Sequence, residues 1–211
     1  MSIYFLMLLM MLFLLYKGII SSLFYSPKRI KMISSMILIL MTLRYITLII
    51  LFVVKNQSYL YLLKPIIHAN ILCIPIIGII SLFIFARNDK VKIRKVFILC
   101  IALSLAYCTL MYKSSVKINI SNITGYTMQL QLEIYYFIAL LIINSVFVVL
   151  GIELFYKTYS NKLGVVLIIV SSSITLTTLL ISSINTNFAW LILADISWII
   201  TLDYGLTKFK R

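Results

Sequence analysis

Arg44 and Asp195 are charged residues that lie well inside two long apolar stretches of this sequence. A charge at the centre of a membrane-spanning helix costs about 2.5 to 3.5 kcal/mol on insertion scales, so each of them requires a partner or a task. Arg44 lies ten residues before the end of its stretch, about 15 Å deep, and Asp195 lies seven residues into its own, about 10 Å deep. If the two stretches cross a membrane in opposite directions, these depths agree and predict an Arg44–Asp195 ion pair.

Asp203 is the second choice of partner for Arg44. Side chains lean toward the N-terminus of their helix, which moves Arg44 and Asp195 apart in antiparallel helices. The same lean brings Asp203, eight residues further along, toward Arg44. The structural interpretation of such a pair is a tie between helices, and the functional interpretation is a switch or a polar cavity. Both interpretations stay open at this point.

Small and hydroxyl residues recur at helical spacing in the sixth apolar stretch. They are Gly164, Ser171, Thr175, Thr178 and Ser182. This face predicts a close-packing seam whose hydroxyls bond back to the helix backbone. The alternative is a polar cavity that the face would line together with Asn144, Asp195 and Trp198. Trp198 stands one helical turn from Asp195, which would place an aromatic wall beside a carboxylate.

His68 and Glu133 are predicted at the outer ends of their apolar stretches. His68 is the one histidine of the sequence. A metal site needs three or four ligands, and Glu133 would add a single carboxylate, so we expect no metal. An interfacial histidine without a special role is the favoured interpretation. In the same stretch, Pro75 and Gly78 predict a kink, because proline removes a backbone hydrogen bond from the middle of a helix.

Catalytic motifs are missing from the sequence. It contains no HExxH, no GxSxG, no Walker-type glycine loop and no CxxC. Its five acidic residues stand at different depths and offer no carboxylate pair. We therefore expect no enzyme, no catalytic residue and no cofactor. Among the three cysteines, Cys100 and Cys108 flank Ser104 at intervals of four and predict a second packing seam, on the fourth stretch.

Seven apolar stretches of about 17 to 23 residues hold these side chains, the length that crosses a bilayer core of roughly 30 Å. The mean hydropathy of +1.13 also lies far outside the range of soluble proteins. The sequence therefore predicts an all-α integral membrane protein with one polytopic membrane domain over residues 1–211. The predicted spans are Ile3–Ile20, Met32–Val54, Ile66–Ala86, Val96–Tyr112, Ile134–Tyr156, Leu163–Ser183 and Phe188–Leu206.

Basic residues accumulate in alternate gaps between these spans. Fourteen of the 19 lysines and arginines lie in or beside the first, third and fifth gaps and at the C-terminal end. Because cytoplasmic loops carry the excess of Lys and Arg, this predicts an outer N-terminus and a cytoplasmic C-terminus. The net charge of +14 then indicates contacts with anionic headgroups of the lipid bilayer and no nucleic-acid partner. Isoleucine is frequent and lysine outnumbers arginine 14 to 5, a composition typical of AT-rich bacterial genomes. We therefore expect the protein in the plasma membrane of a bacterium.

The outer segment between the fourth and fifth spans alternates apolar and polar residues. The alternation begins at Val116, resumes at Met128 and brackets an Asn/Gly-containing turn at 122–125. This pattern predicts an extracellular β-hairpin over about Ser115 to Leu132, lying across the outer mouth of the bundle. The alternative is an ordinary exposed loop. The predicted apolar face comprises Val116, Ile118, Ile120, Tyr126, Met128 and Leu130.

This segment passes through Gly125 and Tyr126 into an aromatic-rich helix start, Glu133–Phe137. Together with the predicted orientation, the arrangement resembles the seven-transmembrane sensory regions at the N-termini of some bacterial histidine kinases and diguanylate cyclases. The resemblance covers the whole chain in outline and implies a receptor for a ligand or signal, whose output is a fused cytoplasmic domain. This chain departs from that pattern at Lys208–Arg211, where an output domain would begin, so we expect a separate partner.

The leading functional hypothesis is a receptor-like or regulatory sensor module that signals to a separate cytoplasmic protein. A small apolar or amphipathic ligand would bind under the hairpin, near the level of Arg44, Asp195 and Trp198. One alternative is a small transporter or channel subunit, which would need a polar route past the hydroxyl face. Another is an accessory or immunity-type protein that docks to a membrane partner through its small-residue seams.

Overall fold

Helices make up most of the protein in a computed structural model that describes residues 3–53, 60–87, 93–121, 125–131, 133–184 and 189–209. The helices are α1 (Ile3–Tyr25), α2 (Lys28–Val53), α3 (Lys64–Ile67), α4 (Asn70–Ala86), α5 (Ile93–Lys113), α6 (Glu133–Tyr156), α7 (Lys162–Ile184) and α8 (Ala189–Thr207). Two strands, β1 (Val116–Ser121) and β2 (Gly125–Leu130), stand between α5 and α6. Some residues discussed above fall outside the described set, wholly or with their side chains: Val54, Ile120, Asn122, Leu132, Glu133, Phe188, Lys210 and Arg211.

Seven helical segments of the described residues are long and apolar enough to cross a membrane. Six are single helices, and the seventh, Tyr61–Ala86, is assembled from a 3-10 turn, α3 and α4. This is the build of a multi-pass membrane protein. The first span is longer than predicted, because α1 continues past Ile20 to Tyr25. Lys17, predicted near the end of its span, therefore lies within the helix.

The helix α4 lies at the centre of the bundle, where it contacts α2, α5, α6, α7 and α8, and α8 packs against α1, α4 and α7. Consecutive helices joined by short connections pack side by side, as α1 does with α2 and α6 with α7. The segment Tyr61–Ala86 is the most enclosed, with 61% of its apolar window buried, against 17% for α5. Polar side chains in this enclosed part of the bundle, where α2, α4 and α8 meet, are therefore the first candidates for a functional site.

The third span is interrupted at His68 and Ala69, between α3 and α4. The amide of Ile71 donates to the carbonyl of His68, three residues back, at 3.1 Å. In a continuous α-helix that amide would instead bind the carbonyl of Ile67, four residues back. The break therefore leaves the Ile67 carbonyl to another donor.

Pro75 and Gly78, where the sequence predicts a kink, both lie inside α4, which continues through them. The interruption of the span comes earlier, at His68 and Ala69, and the kink at Pro75 and Gly78 stays a prediction. Gly78 serves packing, because a Cβ at this position would overlap the ring of Phe147 on α6. The absence of a side chain thus lets α6 approach α4 closely.

The two strands pair antiparallel, with Val116 opposite Leu130 and Ile118 opposite Met128. Met128 and Leu130 are buried, while Val116 and Ile118 pack half-buried against helical residues. The strand β2 also contacts α2. The apolar side of this pair of strands is therefore covered by the helices, and the residues of the turn, 122–124, lie outside the described set.

The small-residue face of α7 is buried against its neighbours and is called the α7 seam below. It comprises Gly164, Ser171, Thr175, Thr178 and Ser182. Thr175 donates to the Ser171 carbonyl of its own helix at 2.8 Å, as predicted for such a seam. The Ser171 hydroxyl also shares a 2.7 Å hydrogen bond with Thr201 on α8. The seam therefore joins α7 to α8 within this chain.

The prediction of a second packing seam, on α5, is wrong for Cys108. Cys100 is buried and Ser104 is half-buried, but Cys108 is exposed. The reason is the peripheral position of α5, which packs along α4 and turns most of its surface away from the bundle. Regular spacing of small residues marks one helix face but does not show that a neighbour covers it.

The glycine of the α7 seam provides a stability test. A Cβ at Gly164 would overlap the buried ring of Phe85, whereas a Cβ at Gly18 would meet Leu38 Cδ2 at 3.4 Å, an ordinary contact. We expect Gly164→Ala to cost about 1–3 kcal/mol through overpacking. Its apparent melting temperature in detergent should fall by roughly 2–4 °C per kcal/mol. The control Gly18→Ala should melt within a degree or two of the wild type, and equal melting of both variants would contradict the packing described.

Candidate functional site

Arg44 and Asp195 are in contact at the centre of the bundle. Arg44 Nη1 forms an ion pair with Asp195 Oδ2, and the Tyr45 hydroxyl donates to the same oxygen at 2.6 Å. The three side chains are at most 1% exposed. The contact predicted from the depths of Arg44 and Asp195 is thus present, with Tyr45 as an additional member. The sequence marks Tyr45 only by its position directly after the intramembrane Arg44.

The arginine also binds the break in the third span. Arg44 Nε donates to the carbonyl of Ile67 at 2.8 Å. This is the carbonyl that the interrupted helix leaves free, so the break supplies the acceptor that Arg44 needs. The group formed by Arg44, Tyr45, Asp195 and the Ile67 carbonyl is called the Arg44 network. It joins α2, the α3–α4 break and α8.

The lean of side chains along their helices does not prevent this contact. Arg44 lies nine residues before the end of α2 at Val53, and Asp195 lies six residues after the start of α8 at Ala189. At 1.5 Å per residue, the difference in depth is about 4.5 Å. The long side chain of arginine spans such a distance, and its planar guanidinium can serve two acceptors at once.

The Arg44 network is highly but not completely hydrogen-bonded. Burying an ion pair costs several kcal/mol per charge, which the pair recovers only with good geometry and additional hydrogen bonds. The Ile67 carbonyl and the Tyr45 ring, 5.2 Å from the guanidinium carbon, provide such contacts. Asp195 Oδ1 and the nearby ring atom His68 Nε2 are buried without a hydrogen-bond partner among the described residues. The network therefore has unused bonding capacity at Asp195 Oδ1, and His68 is a second buried polar side chain with a free ring nitrogen.

Asp203 does not serve as a partner of Arg44. It pairs instead with Lys17 on α1, with Asp203 Oδ2 and Lys17 Nζ 3.1 Å apart. The Lys17 side chain is 61% exposed, and that of Asp203 is 13% exposed. The sequence-based alternative fails because α1 packs against α8 and places Lys17 within reach of Asp203, which lies four residues before the end of α8 at Thr207. A second ion pair therefore holds α8, this time to α1.

The side chains of Trp198 and Asn144 form hydrogen bonds within the helix bundle. The Trp198 indole N–H donates to Thr175 Oγ1 of the α7 seam at 2.9 Å, and its ring packs edge-on against Phe147 at 5.6 Å. Asn144 Nδ2 donates to the Leu140 carbonyl of its own helix at 2.8 Å. These contacts fill the region where the alternative hypothesis expected a polar cavity along the hydroxyl face.

A small cavity lies beside Leu130 of β2. Its volume is about 20 Å³, and it is lined by His68, Asn70 and Leu130, together with side chains of α6, α7 and α8. One water molecule needs roughly 10–15 Å³ of such volume, so the cavity has room for a single water and none for an amphipathic ligand. His68, expected at the interface, is in fact buried. Glu133 begins α6, and its side chain lies outside the described part of the structure.

Lys64 fastens the short helix α3 to the end of α5. Its ammonium group donates to the carbonyl of Met111 at 2.6 Å and also to that of Ser114. The Tyr107 hydroxyl returns a hydrogen bond to the carbonyl of Pro65. The last carbonyls of a helix have no partner within it, and a cation there also complements the helix dipole. The α3–α4 break is thereby held from α5 as well as from Arg44.

No protein family, no curated protein and no solved structure matches this chain. Within the described residues, no group of three His, Cys, Asp or Glu side chains could hold a metal ion.

The Arg44 network predicts a strongly non-additive double-mutant cycle. Removing one partner of a buried pair leaves the other charge uncompensated, at a cost of about 3–5 kcal/mol. We therefore expect Arg44→Met and Asp195→Leu each to unfold at markedly lower denaturant concentration. The double variant should recover much of the loss, because no buried charge is left behind.

The second ion pair is the control for this cycle. Lys17→Met removes a largely exposed partner of Asp203, which is itself less buried than Asp195, so its cost should stay well below that of either Arg44 network variant. Additive effects of Arg44→Met and Asp195→Leu, or a loss for Lys17→Met as large as theirs, would contradict the central position of the Arg44 network.

Proposed function

We propose that this protein is a receptor-like regulatory module of the membrane, in which the Arg44 network holds α2, the α3–α4 break and α8 in one of two packings. The observation that supports the proposal is the network itself, a buried ion pair that joins three elements while Asp195 Oδ1 has no hydrogen-bond partner among the described residues. An ionisable residue inside a membrane span is by default a candidate functional site. A ligand shifts such a module by binding one packing more tightly than the other.

Enclosure of the Arg44 network favours regulation over transport. A transporter or channel subunit needs a polar route, but the side chains of Arg44, Tyr45 and Asp195 are at most 1% exposed. The α7 seam, the other candidate for a polar route, is hydrogen-bonded to α8 and to its own helix. The same contacts weaken the accessory alternative, in which the seam would remain free for a membrane partner.

The output element of the proposed module is α8. Arg44 holds it near its start through Asp195, and Lys17 holds it near its end through Asp203. Just beyond this helix, the Lys208 ammonium lies 4.9 Å from the centre of the Tyr204 ring. A displacement of α8 would therefore change how the basic C-terminal segment is presented to a cytoplasmic partner.

The proposal requires the C-terminal side of the bundle to face the cytoplasm of a cell, as the distribution of basic residues predicts. In a Cys108→Ser background, Lys117→Cys on β1 should react with a membrane-impermeant thiol reagent in intact cells. Lys162→Cys, at the start of α7, should react only after permeabilisation. Both parent residues are exposed, and the two other cysteines are buried. The reverse pattern of labelling would invert the orientation and overturn the proposed output side.

The regulatory role is tested by comparing two arginine-to-lysine substitutions on α2. Arg44→Lys keeps the charge but replaces a planar donor that binds Asp195 and Ile67 together with a single ammonium. Arg29→Lys changes an exposed residue near the start of the same helix. A photo-crosslinker at Lys208 in the native cell should capture a cytoplasmic signalling protein. We expect its yield to change several-fold in Arg44→Lys and to remain at the wild-type level in Arg29→Lys.

Two outcomes would contradict this role. Capture of the cytoplasmic protein with equal yield in both variants would separate the Arg44 network from output. A specific solute flux in liposomes that Arg44→Lys abolishes, while crosslinking is unchanged, would favour the transporter alternative instead.

A further inference from the structure

An apolar groove runs along the bundle between α5 and α6, with α4 as its floor. Its volume is about 580 Å³, within the range of small-molecule binding sites. The groove exists because α4 contacts both α5 and α6, whereas α5 and α6 make no extended contact with each other among the described residues. Phe147, which lies against Gly78, is part of the lining.

The length of the groove fits one leaflet of a bilayer. Along α6 and the residue that follows it, the groove is lined from Ile142 to Lys157, fifteen steps of the chain that rise about 22 Å. Half of a hydrocarbon core of roughly 30 Å is about 15 Å, so the groove can hold one acyl chain and reach the headgroup level. The two charged residues of the lining, Glu153 and Lys157, both stand at one end. The remainder of the lining is apolar.

Several cations stand near the charged end of the groove. Arg94 and Lys95 are exposed in the first turn of α5, and Lys162 is exposed at the start of α7. Lys157 forms an ion pair with Glu153, and this hydrogen bond raises the pKa of Lys157 above its ordinary value. Lys95 directly precedes the lining residue Val96, and Lys162 Nζ donates to the carbonyl of Lys157 at 2.9 Å. The described residues around this end therefore include four cations and a single carboxylate. A positive rim beside an apolar groove matches a lipid with a negatively charged headgroup.

We propose that this groove binds an anionic membrane phospholipid, with one acyl chain between α5 and α6 and its phosphate near Arg94, Lys95, Lys157 and Lys162. The inference gives a ligand class to the module proposed above. It depends on that proposal only for its consequence, because lipid binding is measured without reference to output.

The groove also has a direct structural connection to α8. Phe147, in the groove lining, packs edge-on against Trp198, and Asp195 of the Arg44 network lies one turn before Trp198 on the same helix. An acyl chain that displaces the Phe147 ring would therefore press on the helix that Arg44 holds. A bound lipid could in this way bias the two packings.

Native mass spectrometry of the purified full-length protein tests the binding. The protein is exposed in detergent to equal amounts of phosphatidylglycerol and phosphatidylcholine, and the retained lipids are counted. We expect one phosphatidylglycerol to be retained in preference to phosphatidylcholine. Val146→Trp, which fills the groove, should lower this retention at least several-fold. The matched control Val149→Trp changes an exposed residue of the same helix outside the lining and should retain lipid like the wild type.

A charge variant separates the headgroup from the acyl chain. Replacing Arg94 and Lys95 by Gln should reduce the preference for phosphatidylglycerol while leaving the fold intact, since both side chains are exposed. Equal retention of the two lipids by the wild type would overturn the anionic specificity. Equal effects of Val146→Trp and Val149→Trp, or capture of a second copy or another protein in the groove, would overturn the assignment of a lipid. None of these results depends on crosslinking at Lys208, so each proposal can fail separately.

Discussion

The architecture depends on satisfying one guanidinium group inside an apolar bundle. Arg44 cannot be left unpaired at this depth, and three features of the chain together satisfy it: Asp195 on α8, Tyr45 beside it and the carbonyl exposed by the break after Ile67. The broken span and the buried arginine therefore complement each other, because the break supplies an acceptor and Arg44 supplies its donor. A continuous third helix would use the Ile67 carbonyl internally and leave Arg44 with one acceptor fewer.

The remaining contacts fix the elements that the Arg44 network joins. Lys64 holds α3 against the end of α5, and the α7 seam binds α8 through Ser171 and Thr201. Lys17 adds a second ion pair near the other end of α8. Without a hydrophobic driving force between helices in lipid, such hydrogen bonds and close contacts of small residues determine which helices are neighbours. These contacts hold α8 between α1, α4 and α7.

Apolar length and charge distribution were sufficient to predict seven spans, and depth alone was sufficient to pair Arg44 with Asp195. The break at His68 could not be predicted, because it arises from a tertiary hydrogen bond, and the local proline signal at Pro75 lies inside α4. The pairing of Asp203 with Lys17 could not be predicted either, since it depends on α1 and α8 being neighbours. The groove between α5 and α6 was equally hidden, because leucine and isoleucine suit lipid and protein neighbours alike.

Hydrogen exchange of the protein in lipid nanodiscs tests the central claim most directly, with Asp195→Asn compared to the wild type. If Asp195 positions Arg44 on the Ile67 carbonyl, the loss of its charge should loosen the break. Amides from Ile71 to Cys73 should then exchange about tenfold faster, equivalent to roughly 1.4 kcal/mol, while α6 is unaffected. Unchanged exchange at the break, or an equal increase throughout the bundle, would contradict the account.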